Sequence, residues 1–225
     1  MGEFAIDRLI VLDWDGTVMD SAAQIVAAMR RTMHDLGLPS RPEVQLRDCI
    51  GLGLDDALWR LFPELGAGRV REVAERYGHH FRRSDSPPAP LFPGAAEALE
   101  SLRKAGYRLA VATGKSRRGL DGALGQSGLG PLFAATRCAD ECLPKPHPDM
   151  IEELLWETGC EPGQALMVGD TEFDMAMAGA AGVAAVGVAC GVHDGSRLKR
   201  AGARAVLPTL AALPDWLRRD GAGPS

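Results

Sequence analysis

Three places along this chain put polar residues at the end of a short apolar run, and a fourth polar group lies in a loop. Asp13 and Asp15 follow Leu9-Ile10-Val11-Leu12, Thr113 and Gly114 follow the run 107–112, and Asp170 follows the run 165–168, with Asp174 four residues further on. Lys145 stands in a loop between Pro144 and Pro146. Short apolar runs bounded by turn signals read as buried parallel strands. Open α/β sheets bind ligands at the carboxyl ends of such strands, so these residues are expected along one edge. Asp13 and Asp15 share a face if the strand continues. Gly16 breaks it, which puts Asp15 on a turn angled back toward Asp13. Two close carboxylates repel unless a cation lies between them or one is protonated. Oxygen-only ligands of this kind suit Mg²⁺. Three or four carboxylates, a hydroxyl beside a glycine and one lysine fit phosphoryl transfer assisted by a metal. A carboxylate can take the phosphoryl group as nucleophile. That chemistry needs a cation and hydroxyl or N–H donors for the phosphoryl oxygens. It also needs a proton donor for the leaving alkoxide that can later activate water.

The elements that must position these residues are legible in outline. Asp20 and Ser21 signal a helix start, and Ile25, Met29 and Met33 continue at helical spacing until Gly37 and Pro39. The methionines are expected to face an apolar interior. Helical periodicity recurs over 46–50, 54–62 and 70–81, and 84–93 has the proline and charge of a linker. Strands are then expected at 107–112, 133–137, 165–168, 183–188 and 205–207. Helices are expected at 95–104, after Ser116, and at 148–158, 174–181 and 210–217. Strands alternating with helices indicate a doubly wound, Rossmann-like parallel sheet. The helical stretch predicts an inserted all-helical cap domain. The expected division is a catalytic core of 1–18 and 93–225 with a cap of 19–92.

With 225 residues, 46% apolar and 24% charged, the chain reads as an ordinary globular protein with a sizeable core. Its net charge of -5 argues against nucleic acid as a partner. Nothing resembles a signal peptide or membrane span, and Ile6 stands where Met1-Gly2 would need Ser or Thr for myristoylation. The five cysteines form no C-x-x-C pair and read as reduced thiols of a cytoplasmic protein. The tail 220–225 reads as disordered. A monomer or homodimer is expected.

D-W-D-G-T, T-G-K, K-P and G-D-T-E-F-D occur in that order at suitable spacing. They resemble the four motifs of the haloacid dehalogenase-like superfamily, over nearly the whole chain. The insert resembles the helical cap of its phosphoglycolate phosphatase-like branch. The resemblance implies Mg²⁺-dependent hydrolysis of a small phosphate monoester, phosphoglycolate-like, through an aspartyl phosphate. Asp13 would be nucleophile and metal ligand. Asp15 would be general acid/base, with its backbone carbonyl on the metal. Thr113 and the Gly114 N–H would bind the phosphoryl group, and Lys145 would neutralise charge. Asp170 would ligate Mg²⁺, directly or through water, and Asp174 would orient Lys145 or a metal-bound water. The glycine-rich turn of Gly51, Leu52 and Gly53 resembles the cap segment that faces the active site in similar phosphatases.

Each residue also has an ordinary use. Asp170-Thr171 could be a helix N-cap, Asp174 an exposed first-turn carboxylate, Thr113 a plain strand end and Lys145 a solvated lysine. Gly51 to Gly53 could be a helix–helix turn. His147 and His193 read as surface or loop residues, His79-His80 as solvent-facing or packed, and Arg117-Arg118 as a solvated face. Gly114-Lys115-Ser116 resembles the end of a P-loop, but Leu109 stands where its first glycine belongs. Trp14 is expected to pack away from the two aspartates. A dehalogenase would have no use for Asp15 as an acid. A mutase similar to β-phosphoglucomutase, a pyrophosphatase, a nucleotidase and a non-catalytic module on the same fold are the competing readings.

Overall fold

A computed structural model describes residues 9–82 and 89–220. The expected tail after residue 220, the leading residues and the 84–88 part of the expected linker lie outside these. The strands are β1 (Leu9–Leu12), β2 (Arg108–Thr113), β3 (Ala135–Cys138), β4 (Ala165–Gly169), β5 (Ala184–Val188) and β6 (Ala205–Leu207). They form one parallel sheet in the order β3-β2-β1-β4-β5-β6. The order reverses beside β1, which is where such sheets open a crevice at their carboxyl edge. β1 is apolar on both faces because it is covered on both. Ile10 and Leu12 enter one core cluster with Leu99, Val111 and Leu120, and Leu9 and Val11 enter the other with Met150, Leu154 and Met167. The alternation carries on past the strand. Trp14 continues the Ile10/Leu12 face and packs edge-on against Phe133 at 6.0 Å, while Asp13 continues the other.

Between β1 and the seam at Pro90 the described residues form four helices: α1 (Ala22–Asp35), α2 (Glu43–Asp48), α3 (Leu54–Leu61) and α4 (Ala67–Phe81). Ala22, Val26, Met29 and Met33 lie on one face of α1. With Leu46, Leu58, Phe62 and Val73 the last three build a third apolar cluster, distinct from those of the sheet. The chain leaves and returns along one seam. The Asp20 N–H donates to the Pro90 carbonyl (2.9 Å) and the Phe92 N–H to that of Val18 (3.0 Å).

The remaining helices are α5 (Ala95–Lys104), α6 (Arg117–Ser127), α7 (Asp149–Thr158), α8 (Glu172–Ala180), α9 (Gly195–Arg200) and α10 (Leu213–Asp220). The structure corrects several expected bounds. The third strand starts at Ala135, because Gly130–Leu132 is a 3₁₀ turn with Pro131 inside it. The closing helix is a 3₁₀ turn, Leu210–Ala212, followed by α10. α9 was not expected: Leu198 is its only buried residue, so six residues show no apolar periodicity. No helix among the described residues is long and apolar enough to cross a membrane.

Candidate active site

Asp13 stands just beyond β1, with its N–H bonded to the Val168 carbonyl of the neighbouring β4 at 2.9 Å. The loop after β3 carries Lys145 across to it. The ammonium donates to Asp13 Oδ1 at 2.6 Å and to Asp174 Oδ1 at 2.7 Å, and none of the three side chains is more than 1% exposed. Lys145 is therefore not a solvated lysine, nor Asp174 an exposed first-turn carboxylate. Asp174 has a second task. Its Oδ2 accepts from the N–H and hydroxyl of Thr171 (3.0 and 2.8 Å), closing a capping box that starts α8. The cap residue is Thr171, which frees Asp170 for the site.

Asp170 is fully buried. Its Oδ1 accepts from the Thr17 hydroxyl at 3.1 Å and its Oδ2 from the Val192 N–H at 2.8 Å. Gly16 makes room for it: the backbone is left-handed there (φ +89°), and a Cβ would lie 2.2 Å from Asp170 Oδ2. Asp13, Asp170 and Asp174 each offer an oxygen within 4.8 Å of the others. Asp13 Oδ2 is buried and has no hydrogen-bond partner among the described residues. One ammonium faces three carboxylates, so the pocket is short of positive charge. Burial pushes the Asp13 carboxyl up to about 7 against the pull of Lys145, and Asp174 adds to the rise. Burial, then Asp13 and Asp174, hold Asp170 well above the usual carboxylate range. Burial alone would lower Lys145, but Asp13 and Asp174 outweigh it and hold the ammonium above its ordinary value. An oxygen-only group with an orphaned carboxylate oxygen and excess negative charge fits a hard divalent cation.

Asp15 is held separately. Lys115 Nζ lies 2.9 Å from its Oδ1, and the Ser21 hydroxyl donates to the same oxygen. Ser21 precedes α1, but its hydroxyl makes no capping bond; it serves Asp15 instead. Lys115 also rests over the Phe81 ring, 4.6 Å from its centroid. Thr113 is buried at the end of β2, and its Oγ1 accepts from the Lys115 N–H at 3.2 Å. Thr113 and Gly114 thus stand at the same sheet edge as Asp13, one strand over.

The turn of Gly51, Leu52 and Gly53 lies against this edge. A Cβ on Gly114 would sit 2.4 Å from the Leu52 carbonyl oxygen and 2.8 Å from that of Gly51, so only glycine admits the turn so close. Gly51 rests on Thr171 and Gly53 on Pro144 and Ala139. Beside the turn, Asp48 of α2 pairs with Arg197 of α9, and the same guanidinium holds Glu172 at 2.6 and 3.0 Å. His193 joins this group: it lies in a loop, one of its two expected places, but is buried there rather than at the surface. It is 3% exposed, its Nδ1 accepts from the Glu172 N–H at 3.0 Å, and its Nε2 lies 3.5 Å from Asp48. His80 is also buried, 2.8 Å from Asp35, and Arg117 is bound to Glu141 and Thr136 rather than solvated. His147 is exposed as expected. From Asp13 and Asp15 a cavity of about 220 Å³ runs under the turn into the helical insert.

A parallel sheet with this strand order, carrying its polar groups at the carboxyl edge, defines a Rossmann-like α/β fold. The chain belongs to the haloacid dehalogenase-like hydrolase family, whose family model matches residues 10–188. It is 35% identical over 209 residues to a protein named "Probable phosphatase IndB" from Dickeya dadantii (strain 3937), covering 91% of each chain. It is 31% identical over 223 residues to a phosphoglycolate phosphatase of Haemophilus influenzae (strain 86-028NP), covering 95% of this chain and 94% of the other. A crystal structure of a hydrolase from Pseudomonas syringae shares the fold with a TM-score of 0.85 at 24% identity, over 95% of this chain and 98% of that one.

Proposed function

We propose that this protein is a Mg²⁺-dependent phosphatase that hydrolyses a small phosphate monoester through a phosphorylated Asp13. The observation that carries the reading is the buried Asp13, held by Lys145 through one oxygen and left unpartnered at the other. Asp13, Asp170 and the backbone carbonyl of Asp15 would hold the cation, with Asp174 behind them. When bound, it supplies charge neutralisation for the phosphoryl group and the carboxylates.

Asp13 attacks phosphorus and becomes the acyl phosphate. Lys145 stays on Asp13 Oδ1, which fixes the carboxylate and offsets the incoming negative charge. The Thr113 hydroxyl and the Gly114 N–H donate to the phosphoryl oxygens. Asp15 Oδ1 is occupied by Lys115 and Ser21, so Oδ2 is the atom that protonates the leaving alkoxide. The same oxygen then takes a proton from the water that hydrolyses the acyl phosphate. The helical insert acts as a cap: its turn at Gly51, Leu52 and Gly53 lies on the site, excludes water and meets the leaving group. Five free thiols fit a cytoplasmic enzyme. The relatives' names make phosphoglycolate the first ester to assay. A phosphate-release screen with phosphoglycolate, sugar phosphates, nucleoside monophosphates and pyrophosphate tests the reading. Release should vanish with a chelator and in Asp13→Asn. Substantial release by folded Asp13→Asn refutes it.

A further inference from the structure

We infer that the alcohol released at this site is apolar, an alkyl or aryl group about the size of a benzene ring. The inference rests on the phosphatase reading above and adds the class of leaving group. The cavity that begins at Asp13 and Asp15 leads away from the phosphoryl-binding edge and into the insert. A phosphate ester with its phosphorus at Asp13 can lay its organic part in the direction of this cavity. That direction is walled by Ile25, Met29, Leu46, Leu54, Tyr77 and Phe81. The rings of Tyr77 and Phe81 stack there, with centroids 5.7 Å apart.

A carboxylate in such a chamber would need a cation or several N–H donors to offset its lost hydration. Among the described residues, two cationic side chains line the cavity. Lys115 is committed to Asp15 and covered by Phe81. Arg82 is an exposed residue at the rim, with its guanidinium folded back onto Gly78 of its own helix. Lys115 already has a partner and most of the lining side chains are apolar, so the chamber offers a glycolate carboxylate little. It suits an apolar group well. An apolar cavity of about 150 Å³ is enough to take benzene, and this one measures about 220 Å³. The reaction remains ordinary hydrolysis: the P–O bond to the alcohol breaks, water supplies the new oxygen on phosphorus, and the alcohol leaves with a proton.

The test is a series of methyl, propyl and hexyl phosphates, with phenyl phosphate and phosphoglycolate, on the full chain with Mg²⁺. The n-alkoxides are nearly equal as leaving groups, so the series isolates the cavity. kcat/KM should rise about fourfold per methylene until the cavity is full. Hexyl and phenyl phosphate should both exceed phosphoglycolate. Calorimetry should show hexylphosphonate binding more tightly than methylphosphonate, with a more negative heat-capacity change. Ala74→Phe, which fills the cavity from α4, should cut the hexyl-to-methyl ratio at least about tenfold. Should that variant fail to fold, the wild-type series and the phosphonate titrations still decide. A flat or falling series, or phosphoglycolate as the best ester, overturns the apolar leaving group while the phosphatase reading stands. Absence of Asp13-dependent release from every ester, including p-nitrophenyl phosphate, overturns both.

Discussion

Asp13→Asn keeps the shape of the side chain and deletes one of three buried carboxylates. Its amide oxygen can still accept from Lys145, which retains Asp174. In the metal-free protein this change should be stabilising, by an amount that depends on pH. Burial lifts the Asp13 carboxyl from 3.8 to about 7, so the folded chain holds that proton more tightly than the unfolded chain does. Stability is therefore greatest below about pH 4 as far as this group is concerned, and is lost as pH rises toward 7. At about 1.36 kcal/mol per pH unit the loss is roughly 4 kcal/mol. That is a large share of a typical net stability of about 5–15 kcal/mol. The assay is urea unfolding of both proteins in a chelator from pH 4 to 8. Groups away from the site cancel in the difference, while Asp170, which Asp13 also holds up, is relieved in the variant and adds to it. The variant should match the wild type near pH 4 and exceed it by a few kcal/mol at pH 8. Saturating Mg²⁺ should narrow the gap, since a cation at 100 times its Kd adds about 2.7 kcal/mol to the protein that binds it. A difference independent of pH, or untouched by Mg²⁺, refutes the charge imbalance at this site.

Lys145→Ala leaves Asp13 and Asp174 buried without their cation and should cost about 3–5 kcal/mol in urea unfolding at neutral pH, with phosphate release lost as well. Unchanged stability at pH 7 would show the pair is not formed. Gly114→Ala drives a Cβ into the Leu52 and Gly51 carbonyls. It should displace the turn, at about 1–3 kcal/mol if the turn cannot yield, and lower kcat/KM at least about tenfold. Wild-type kinetics in that variant would mean the turn plays no part in turnover. Arg197→Ala removes the partner of Asp48 and Glu172 and should cost about 1–2 kcal/mol, given that the pairs are partly exposed. A double-mutant cycle with Asp48→Ala measures the coupling, and a value near zero would dissolve this link between insert and core.

The residues easiest to read in the sequence are those whose burial is costly. A carboxylate directly after an apolar strand is conspicuous, since a charge needs a reason to enter the interior. Asp13 and Asp170 announce themselves that way, and the strand pattern puts them on one edge, whereas Asp174, in the first turn of α8, is picked out only by the motif it completes. What spacing cannot give is the pairing of Lys145 with Asp174, 29 residues apart, or of Asp48 with Arg197, 149 residues apart. Ser21 and Lys115 were hidden by more ordinary uses: one sits where a helix cap belongs, and the other at the end of an incomplete P-loop. His193 gave no signal, being a lone imidazole in a glycine-rich loop.

The cavity was hidden for a deeper reason. Ile25, Met29 and Leu46 recur at helical spacing whether they touch another side chain or face a void, because periodicity reports only the side of a helix turned from water. The core motifs specify an edge where a phosphoryl group can be held and transferred. The alcohol it is taken from is chosen by apolar side chains that look, in the sequence, like any other small core. The inventory of groups lining that cavity, rather than the catalytic residues, is where the substrate of this chain must be sought.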